Sequence, residues 1–372
     1  MKRLLATTAL CGLGTAFAVQ PSLAAEQIKL GVGGYFNAFF AFGEQDDGVG
    51  EPGANLRSHK IAREAEIRFT GKTTLDNGIS FGVNVQLEAE TCGDQIDESY
   101  MFVEGSFGRV VVGSEDPATD AMFYGAPVVI AGIGLDTPDD VFTALSNAAG
   151  TPVSIVNISG DSEKLTYFTP RFAGFQLGLS YTPENCEERT AVAPVCAGTY
   201  AGFPADNTAG EQAEIVEIAA NYVGAFGGVD VAVYGGYAGA SLEAPAAGAE
   251  DQDQWGIGMQ FGFSGFTVGG SYKEDNLGTS GSNTDRVDYA LGVTYGTGPW
   301  TVGVAYAHAE VEAGAAGGED ETDGLQVGGT YALGPGILLS GGVTYWDVQD
   351  NLSAPASENE GIEFIVGTVI EF

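Results

Sequence analysis

Few residues of this 372-residue chain have side chains suited to covalent or metal chemistry. There are two histidines, His59 and His308, and four cysteines. Ser80 stands in the run Gly78-Ile79-Ser80-Phe81-Gly82, which matches the nucleophile elbow of hydrolases. That elbow requires a strand, a sharp turn and a helix, whereas Ser80 lies early in a predicted strand with no helix after it. The residues therefore do not favour an enzyme.

Carboxylates are the abundant reactive groups. The chain has 50 acidic and 14 basic residues, and its formal net charge is −36. A chain this acidic cannot neutralise phosphates, so no nucleic-acid partner is expected. Acidic runs such as Asp46, Asp47 and Glu51, or residues 319–323, offer the oxygen ligands that Ca²⁺ prefers. No EF-hand spacing is present, and plain solvated acid is the favoured alternative, so we expect no cofactor and keep structural Ca²⁺ at Asp46, Asp47 and Glu51 open.

Residues 1–24 have the pattern of a secretory signal peptide. A short basic start (Met1-Lys2-Arg3) precedes an apolar stretch, and Ser22-Leu23-Ala24 supplies the small residues of a cleavage site. The alternative is an N-terminal membrane anchor. Removal of the segment takes away two basic residues and leaves residues 25–372 with a net charge of −38.

An exported chain meets an oxidising compartment, where cysteines pair. Cys92, Cys186 and Cys196 remain after cleavage. Cys186 and Cys196 lie close together in one polar segment, so they are the candidate disulfide and one thiol is left over.

The elements that must position these groups are β-strands. Apolar residues recur at every second position, for example at Trp255, Ile257, Met259, Phe261 and Phe263. Short turns alternate with long acidic connections, as they do in an up-and-down barrel whose two ends face different compartments. The pattern predicts an all-β, transmembrane, antiparallel up-and-down β-barrel of about 16 strands, wide enough for an aqueous channel. The predicted strands are 27–42, 61–75, 78–90, 96–105, 107–114, 162–172, 174–182, 212–223, 229–240, 252–263, 265–274, 286–296, 299–309, 323–333, 336–348 and 361–372.

One connection, residues 114–161, is too long for a structureless link in a compact protein. It is rich in apolar and aromatic residues, which need a surface, and the inner wall of the barrel is available. No Lys or Arg occurs from Val110 through Glu163. We therefore predict a pore-constricting loop whose acidic residues are Glu115, Asp116, Asp120, Asp136, Asp139 and Asp140.

Basic residues are concentrated on the second predicted strand. Lys60, Arg68 and Lys72 share the even positions that should face the lumen, whereas Arg63 has the opposite parity and fits a rim or a bulge. Together with Arg109 they form a candidate basic pore wall opposite the acidic loop, an arrangement that sets ion selectivity. The alternative, which can hold at the same time, is a solvated ladder of cross-strand ion pairs in which Glu64 and Glu66 neutralise Arg68 and Lys72.

The final residues complete the pattern. Ile362, Phe364, Val366, Thr368, Ile370 and Phe372 alternate to the last position, which resembles the targeting signal of bacterial outer-membrane barrels. The run Glu98–Phe102 followed by Gly105–Gly113 is similar to the fourth and fifth strands of Gram-negative general porins of the alphaproteobacterial, Rhodobacter-like type. The resemblance implies a sixteen-stranded, trimeric barrel in the outer membrane, with the segment after Ser114 folded into the pore.

The sequence thus predicts a water-filled channel for passive diffusion of ions and small hydrophilic solutes. Outer-membrane lipid and lipopolysaccharide are its expected surroundings. The net charge of −38 should concentrate cations, so cation preference is expected. The alternatives are a plugged or non-channel barrel such as an adhesin, a solute-specific channel, and a secreted, soluble β-protein.

Overall fold

The computed structural model describes residues 27–89, 96–135, 149–185, 206–281, 285–312, 318–351 and 358–372. The predicted signal peptide, the candidate disulfide Cys186–Cys196 and the predicted loop acids Asp136, Asp139 and Asp140 lie outside these residues. Among the described residues, no helix is long and apolar enough to cross a membrane.

Within the described residues, sixteen antiparallel strands form one closed barrel, as predicted. Each strand pairs with its neighbours in the chain, and the first pairs with the last, where Tyr35 stands opposite Glu371. The strands are β1 (Lys29–Gln45), β2 (His59–Thr74), β3 (Ser80–Glu88), β4 (Ser99–Gly105), β5 (Gly108–Ser114), β6 (Glu163–Phe168), β7 (Phe175–Glu184), β8 (Gln212–Phe226), β9 (Val229–Leu242), β10 (Gln252–Phe263), β11 (Phe266–Asp275), β12 (Arg286–Thr297), β13 (Trp300–Glu312), β14 (Glu319–Gly334), β15 (Ile337–Gln349) and β16 (Asn359–Glu371).

The two faces of the strands differ in the way their sequence alternation predicts. On β7, Leu179 and Tyr181 are exposed on the outer face, while Ser180 and Thr182 between them are fully buried. Exposed and buried residues also alternate on β8 and β10, where the buried positions hold polar residues such as Glu217, Asn221 and Gln254 together with alanine, isoleucine and glycine. A continuous apolar face exposed on the outside, with polar groups inside, suits a barrel surrounded by lipid.

The barrel has one end of short turns and one end of long connections. At the short-turn end, β8 and β9 are joined by Gly227 and Gly228, both with positive φ (58° and 86°). Two successive positive φ values match the right-handed twist of the paired strands, which is why glycine stands there. The opposite end, called here the loop end, carries the long acidic connections.

The connection between β5 and β6 is described at residues 115–135 and 149–162, with a single helical turn, α1 (Ala118–Ala121). The main apolar core lies where this connection meets the wall. Val129, Ile130, Ile133 and Leu135 pack with wall residues that include Trp346. The molecule therefore has its hydrophobic core between a connection and the sheet, rather than between two sheets.

Candidate functional site: the channel lining

The connection after β5 is bonded to the polar face of the wall along its described length. Glu217 illustrates the geometry, because it lies between the exposed residues Val216 and Ile218 and therefore points to the opposite face. Its carboxylate is fully buried and accepts from the backbone amide of Ile158 (3.0 Å) and the hydroxyl of Ser159 (2.6 Å). Further bonds join Ala118 to Ser180, Met122 to Asn221, Gly125 to Gln260, Ala131 to Ser340, Val153 to Asp288 and Asn157 to Gln254.

Glycines on the wall make room for this connection. A Cβ atom on Gly258 would lie 2.0 Å from the carbonyl oxygen of Tyr124, and one on Gly269 would lie 2.4 Å from that of Gly125. At Gly328 and Gly342, the side chain of Ile130 occupies the space, 2.6 Å away in each case. Glycine is required at these strand positions because backbone or side chain of the connection approaches too closely for any other residue.

The described members of the predicted acidic set lie at the start of the connection. Glu115 lies 3.9 Å from the guanidinium of Arg109, and the Asn157 amide donates to both Asp116 (3.3 Å) and Asp120 (3.1 Å). Lys164 of β6, almost completely buried, donates to the backbone carbonyls of Glu115 and Gly160.

Two acidic residues that the predicted set omitted belong to the same place. Carboxylate oxygens of Glu98, Asp116 and Asp161 lie within 4.8 Å of one another. Burial raises the pKa of Glu98 to about 8, and burial with the neighbouring charge of Asp116 raises the pKa of Asp161 to about 7. Burial likewise raises the pKa of Asp120 to about 7. These residues are called here the acid cluster: Glu98, Glu115, Asp116, Asp120 and Asp161.

No local pattern in the sequence marks the acid cluster. Glu98 precedes β4, Asp116 follows β5 and Asp161 precedes β6, so only the strand pairing brings them together. Gln86 of β3, whose amide donates to Glu98, contacts the cluster from a third neighbouring strand.

The predicted basic wall does not form one cluster. Lys60 and Lys72 stand at opposite ends of β2, about 40 Å apart at the usual rise of about 3.3 Å per residue. Arg63 shares the face of the exposed Ile61, opposite to the face that carries Arg68. Lys60 and Arg63 lie apart from the other three. Lys72 of β2 and Arg109 of β5 meet over the same Phe102 ring on the lumen side. Arg68 shares the lumen face of β2 with Lys72, about 13 Å along the strand at about 3.3 Å per residue.

Each of these three cations has a carboxylate partner and lies near an aromatic ring. Arg68 pairs with Glu66 at 3.0 Å, Lys72 with Glu104, and Arg109 with Glu115. The Arg109 guanidinium lies 4.5 Å from the centre of the Phe102 ring. Glu66 and Arg68 thus form an ion pair, but within β2 and not across strands as the alternative had it. Lys72 pairs with Glu104, which reaches it from β4 on the other side of β3, and not with Glu64 or Glu66 as that alternative expected. Glu64 instead accepts hydrogen bonds from Tyr35 and Asn37.

The candidate Ca²⁺ ligands Asp46, Asp47 and Glu51 are not brought together. Asp46 accepts from the backbone amide of Glu360 (2.9 Å) and Glu51 from that of Gly48. Within the described residues, groups of three carboxylates with oxygens within 4.8 Å occur elsewhere, including one of Glu310, Glu319 and Glu321.

Ser80 and His308, which were considered for reactive chemistry, have structural partners. The Ser80 hydroxyl lies 2.8 Å from that of Thr74 across the β2–β3 pair, within the strand context expected for it. His308 lies 2.8 Å from Asp323 and stacks on Tyr289 at the loop end of β13.

The sequence profile of the Gram-negative porin family matches residues 6–351. A monosaccharide porin of Halomonas sp. is 23% identical over 94% of this chain and 96% of its own length. A porin of Rhodobacter capsulatus is 21% identical over 64% of this chain and 84% of its own.

Solved structures share the fold. An anion-selective porin from Comamonas acidovorans superposes with a TM-score of 0.62 at 15% identity, over 93% of this chain and 100% of that one. The trimer form of OmpT from Vibrio cholerae superposes with a TM-score of 0.62 at 14% identity, over 93% and 100% of the two chains.

The closed barrel, its outward apolar face and the profile match over nearly the whole chain agree with one another. The chain belongs to the Gram-negative porin family, and is an outer-membrane channel protein rather than an enzyme.

Proposed function

We propose that this porin is a cation-selective general diffusion channel, narrowed by the connection between β5 and β6. The observation that carries the proposal is the bonding of this connection to buried or half-buried polar side chains on the inner face of β7, β8, β10, β12 and β15. A segment held on that face occupies part of the lumen, because the opposite face carries the exposed apolar residues.

Charge supports the cation preference. The acid cluster holds five carboxyl groups where the connection leaves the wall, and Arg109 faces Glu115 beside it. The pore-wall cations Arg68 and Lys72 are each paired with a carboxylate, so they offer little net positive charge to a passing anion. A pore lined in this way should concentrate cations.

A homotrimer in contact with outer-membrane lipid and lipopolysaccharide is the assembly we propose. The exposed apolar face of the barrel supports the lipid contact. The trimer form of the structurally similar OmpT supports the oligomeric state. Crosslinking of the detergent-purified protein should give a ladder that ends at three subunits, and a ladder ending at one subunit would contradict it.

The second candidate is a sugar-specific channel. An open cavity of about 530 Å³ between the connection and the short turns is lined by Tyr124, Phe168, Gln176 and Asn221 among others, which combine rings with hydrogen-bonding amides. A relative bears the name monosaccharide porin. Liposome-swelling rates separate the two candidates, because a general channel slows smoothly with solute size whereas a specific channel saturates with its own sugar.

The decisive experiment is the reversal potential of single channels in a KCl gradient. We expect a cation-selective potential that weakens in the double variant Asp116→Asn/Asp161→Asn and strengthens in Arg68→Gln/Lys72→Gln. An anion-selective potential in the unchanged protein would overturn the cation preference. Absence of conductance from folded protein would favour a plugged barrel.

A further inference from the structure

The charge of the barrel is distributed unequally along its axis. Among the described residues, eight charged side chains lie at the short-turn end. They stand in the short turns, within about four residues of them, at the start of β1 or at the end of β16, and their charges balance. Four are basic and four are acidic: Lys29, Lys72, Arg109 and Arg171, with Asp76, Glu104, Asp230 and Glu371. Over the described residues, the charges at the short-turn end therefore sum to zero.

The remainder of the described chain, toward the middle and the loop end, is strongly anionic. It holds 38 acidic residues against 7 basic ones, Arg57, Lys60, Arg63, Arg68, Lys164, Lys273 and Arg286. Three of those seven, Lys164, Lys273 and Arg286, are buried or nearly so beneath the connection and bonded to wall or backbone groups there.

The asymmetry is sharpest over the last five strands. No Lys or Arg occurs after Arg286, whereas thirteen acidic residues follow it. Of those thirteen, only Glu371 lies at the short-turn end, and Asp288, Asp320 and Glu363 are buried. The loop end of β13–β16 is consequently anionic without lysine or arginine among its described residues.

Such a pore is selective for cations at its loop end and unselective between cations and anions at its short-turn end. When the voltage drives cations into the pore through the loop end, anions enter through the short-turn end. The acidic loop end repels these anions and slows their exit, so cations and anions both accumulate inside the pore. When the voltage is reversed, the acidic loop end repels anions and keeps them from entering. The anions already inside leave through the short-turn end, so the pore is depleted of ions. Fixed charge acts in this way when the Debye length, about 10 Å at 0.1 M salt, is comparable with the pore radius.

We infer that this porin rectifies: at low salt it carries more current when cations move from the loop end to the short-turn end than in the opposite direction. The property rests on the proposed cation selectivity and adds a direction to it. Under equal and opposite driving forces, such an outer-membrane channel passes more cations from the loop end to the short-turn end than in the other direction.

The test is the current–voltage curve of single channels of known orientation in symmetrical KCl. A histidine tag inserted after Gly281, in the connection between β11 and β12, reports orientation because a bulky nickel chelate blocks only from the chamber that the loop end faces. We expect a current ratio of roughly 1.5 to 2 between opposite voltages of 100 mV at 0.05 M KCl, falling to about 1 at 1 M, where the Debye length is about 3 Å.

Two variants at exposed short-turn residues should move the ratio in opposite directions. Lys29→Glu makes the short-turn end acidic, flattens the charge profile and should bring the ratio toward 1. Asp76→Lys/Asp230→Lys makes the same end basic and should increase the ratio. Both leave the connection and the acid cluster untouched.

The outcomes separate this inference from the proposed function. A cation-selective reversal potential with a symmetrical current–voltage curve at 0.05 M KCl would overturn rectification and leave the selectivity standing. An anion-selective potential would overturn the selectivity, and rectification of the opposite sense would accompany it. Rectification that persists unchanged at 1 M KCl or in Lys29→Glu would also overturn the inference, because fixed charge could not then be its cause.

Discussion

Asp288 shows how single buried charges hold the channel lining. Its carboxylate is fully buried and lies 3.2 Å from the Lys273 ammonium and 2.7 Å from the Arg286 guanidinium. It also accepts from the backbone amide of Val153, while Arg286 donates to the carbonyl of Thr151 at 2.7 Å. One carboxylate therefore compensates two cations and anchors the connection between β5 and β6.

Asp288→Asn should destabilise the protein by about 3 to 5 kcal/mol, because removal of one partner leaves buried charges without compensation. Urea unfolding monitored by the shift in electrophoretic mobility measures the loss. Lys72→Gln is the matched control, since its pair with Glu104 is exposed and should cost less than about 1 kcal/mol. Equal losses in the two variants would contradict the role assigned to burial.

Wall glycines offer a second comparison between matched residues. Gly258→Ala should destabilise by about 1 to 3 kcal/mol and alter the open-channel conductance, because the new methyl group meets the carbonyl of Tyr124. Gly235→Ala places its methyl group in open space, also on a strand, and should leave both quantities nearly unchanged. Single-channel recording and unfolding midpoints of the two variants check this. A normal conductance in Gly258→Ala would show that the connection shifts freely.

At the scale of elements, the connection between β5 and β6 gathers titratable groups at one place. The acid cluster on the connection and before β4 faces Asp97, Lys164 of β6 and Glu217 of β8. Burial raises the pKa values of Glu98, Asp120 and Asp161 into the range of about 7 to 8. Their charge therefore changes near neutral pH, where ordinary carboxyl groups are fully ionised.

The sign of the pH effect follows from these pKa values. A carboxyl group whose pKa is higher in the folded state binds its proton more tightly there than in the unfolded state. Its contribution to the free energy of unfolding is therefore complete below the unfolded pKa of about 4, and is lost as the pH rises through the folded pKa. We expect the midpoint temperature of unfolding to decrease as the pH is raised from 5 to 9. Cation selectivity should increase over the same range, because the carboxyl groups become negatively charged.

Asp161→Asn should weaken both trends and should be more stable than the unchanged protein at pH 9. Thermal unfolding followed by circular dichroism across this pH range measures it. Asp76→Asn, an exposed residue in a short turn, is the control and should leave the trends as they are. An identical pH dependence in Asp161→Asn would remove the cluster as its source.

The strands could be predicted from the alternation of apolar and polar residues. The predicted strand ends are wrong where this alternation is absent or where proline interrupts the pairing. β10 begins and ends where predicted, at Gln252 and Phe263. β14 begins four residues before its predicted start at 323, because Glu319–Thr322 pair with β13 through polar residues that carry no apolar signal. β6 ends at Phe168 rather than 172, ahead of Pro170, which has no amide hydrogen for the ladder.

The site could be predicted only in outline. The composition of residues 114–161 indicated a segment that packs on a wall, and parity separated Arg68 from Arg63. The acid cluster, the anchoring role of Asp288 and the Lys72–Glu104 pair depend on which strands are neighbours and on their register. No periodicity within a strand contains that information.

For the whole molecule, the connection between β5 and β6 also contacts the seam where the barrel closes. Phe39 of β1 and Ile365 and Val369 of β16 belong to the same buried cluster as Ile130 and Ile133 of the connection. The first and last strands are thus held by their own hydrogen bonds and by apolar contacts from the middle of the chain.

Ile133→Ala should loosen the seam although Ile133 lies in neither strand. Loss of a fully buried side chain costs about 2 to 5 kcal/mol, and part of that loss should appear as faster hydrogen exchange in β1 and β16. Val128→Ala, at an exposed position of the same connection, is the control. Exchange that increases only within the connection would contradict the coupling.

The shared cluster has a consequence for the order in which the protein folds. Pairing of Tyr35 with Glu371 must bring together the two most distant strands of the chain, which is the slowest kind of contact to form. A connection already docked on the growing sheet presents Ile130 and Ile133 as an apolar surface for both of these strands before they meet. We therefore expect the connection between β5 and β6 to act first as a template on which the barrel closes.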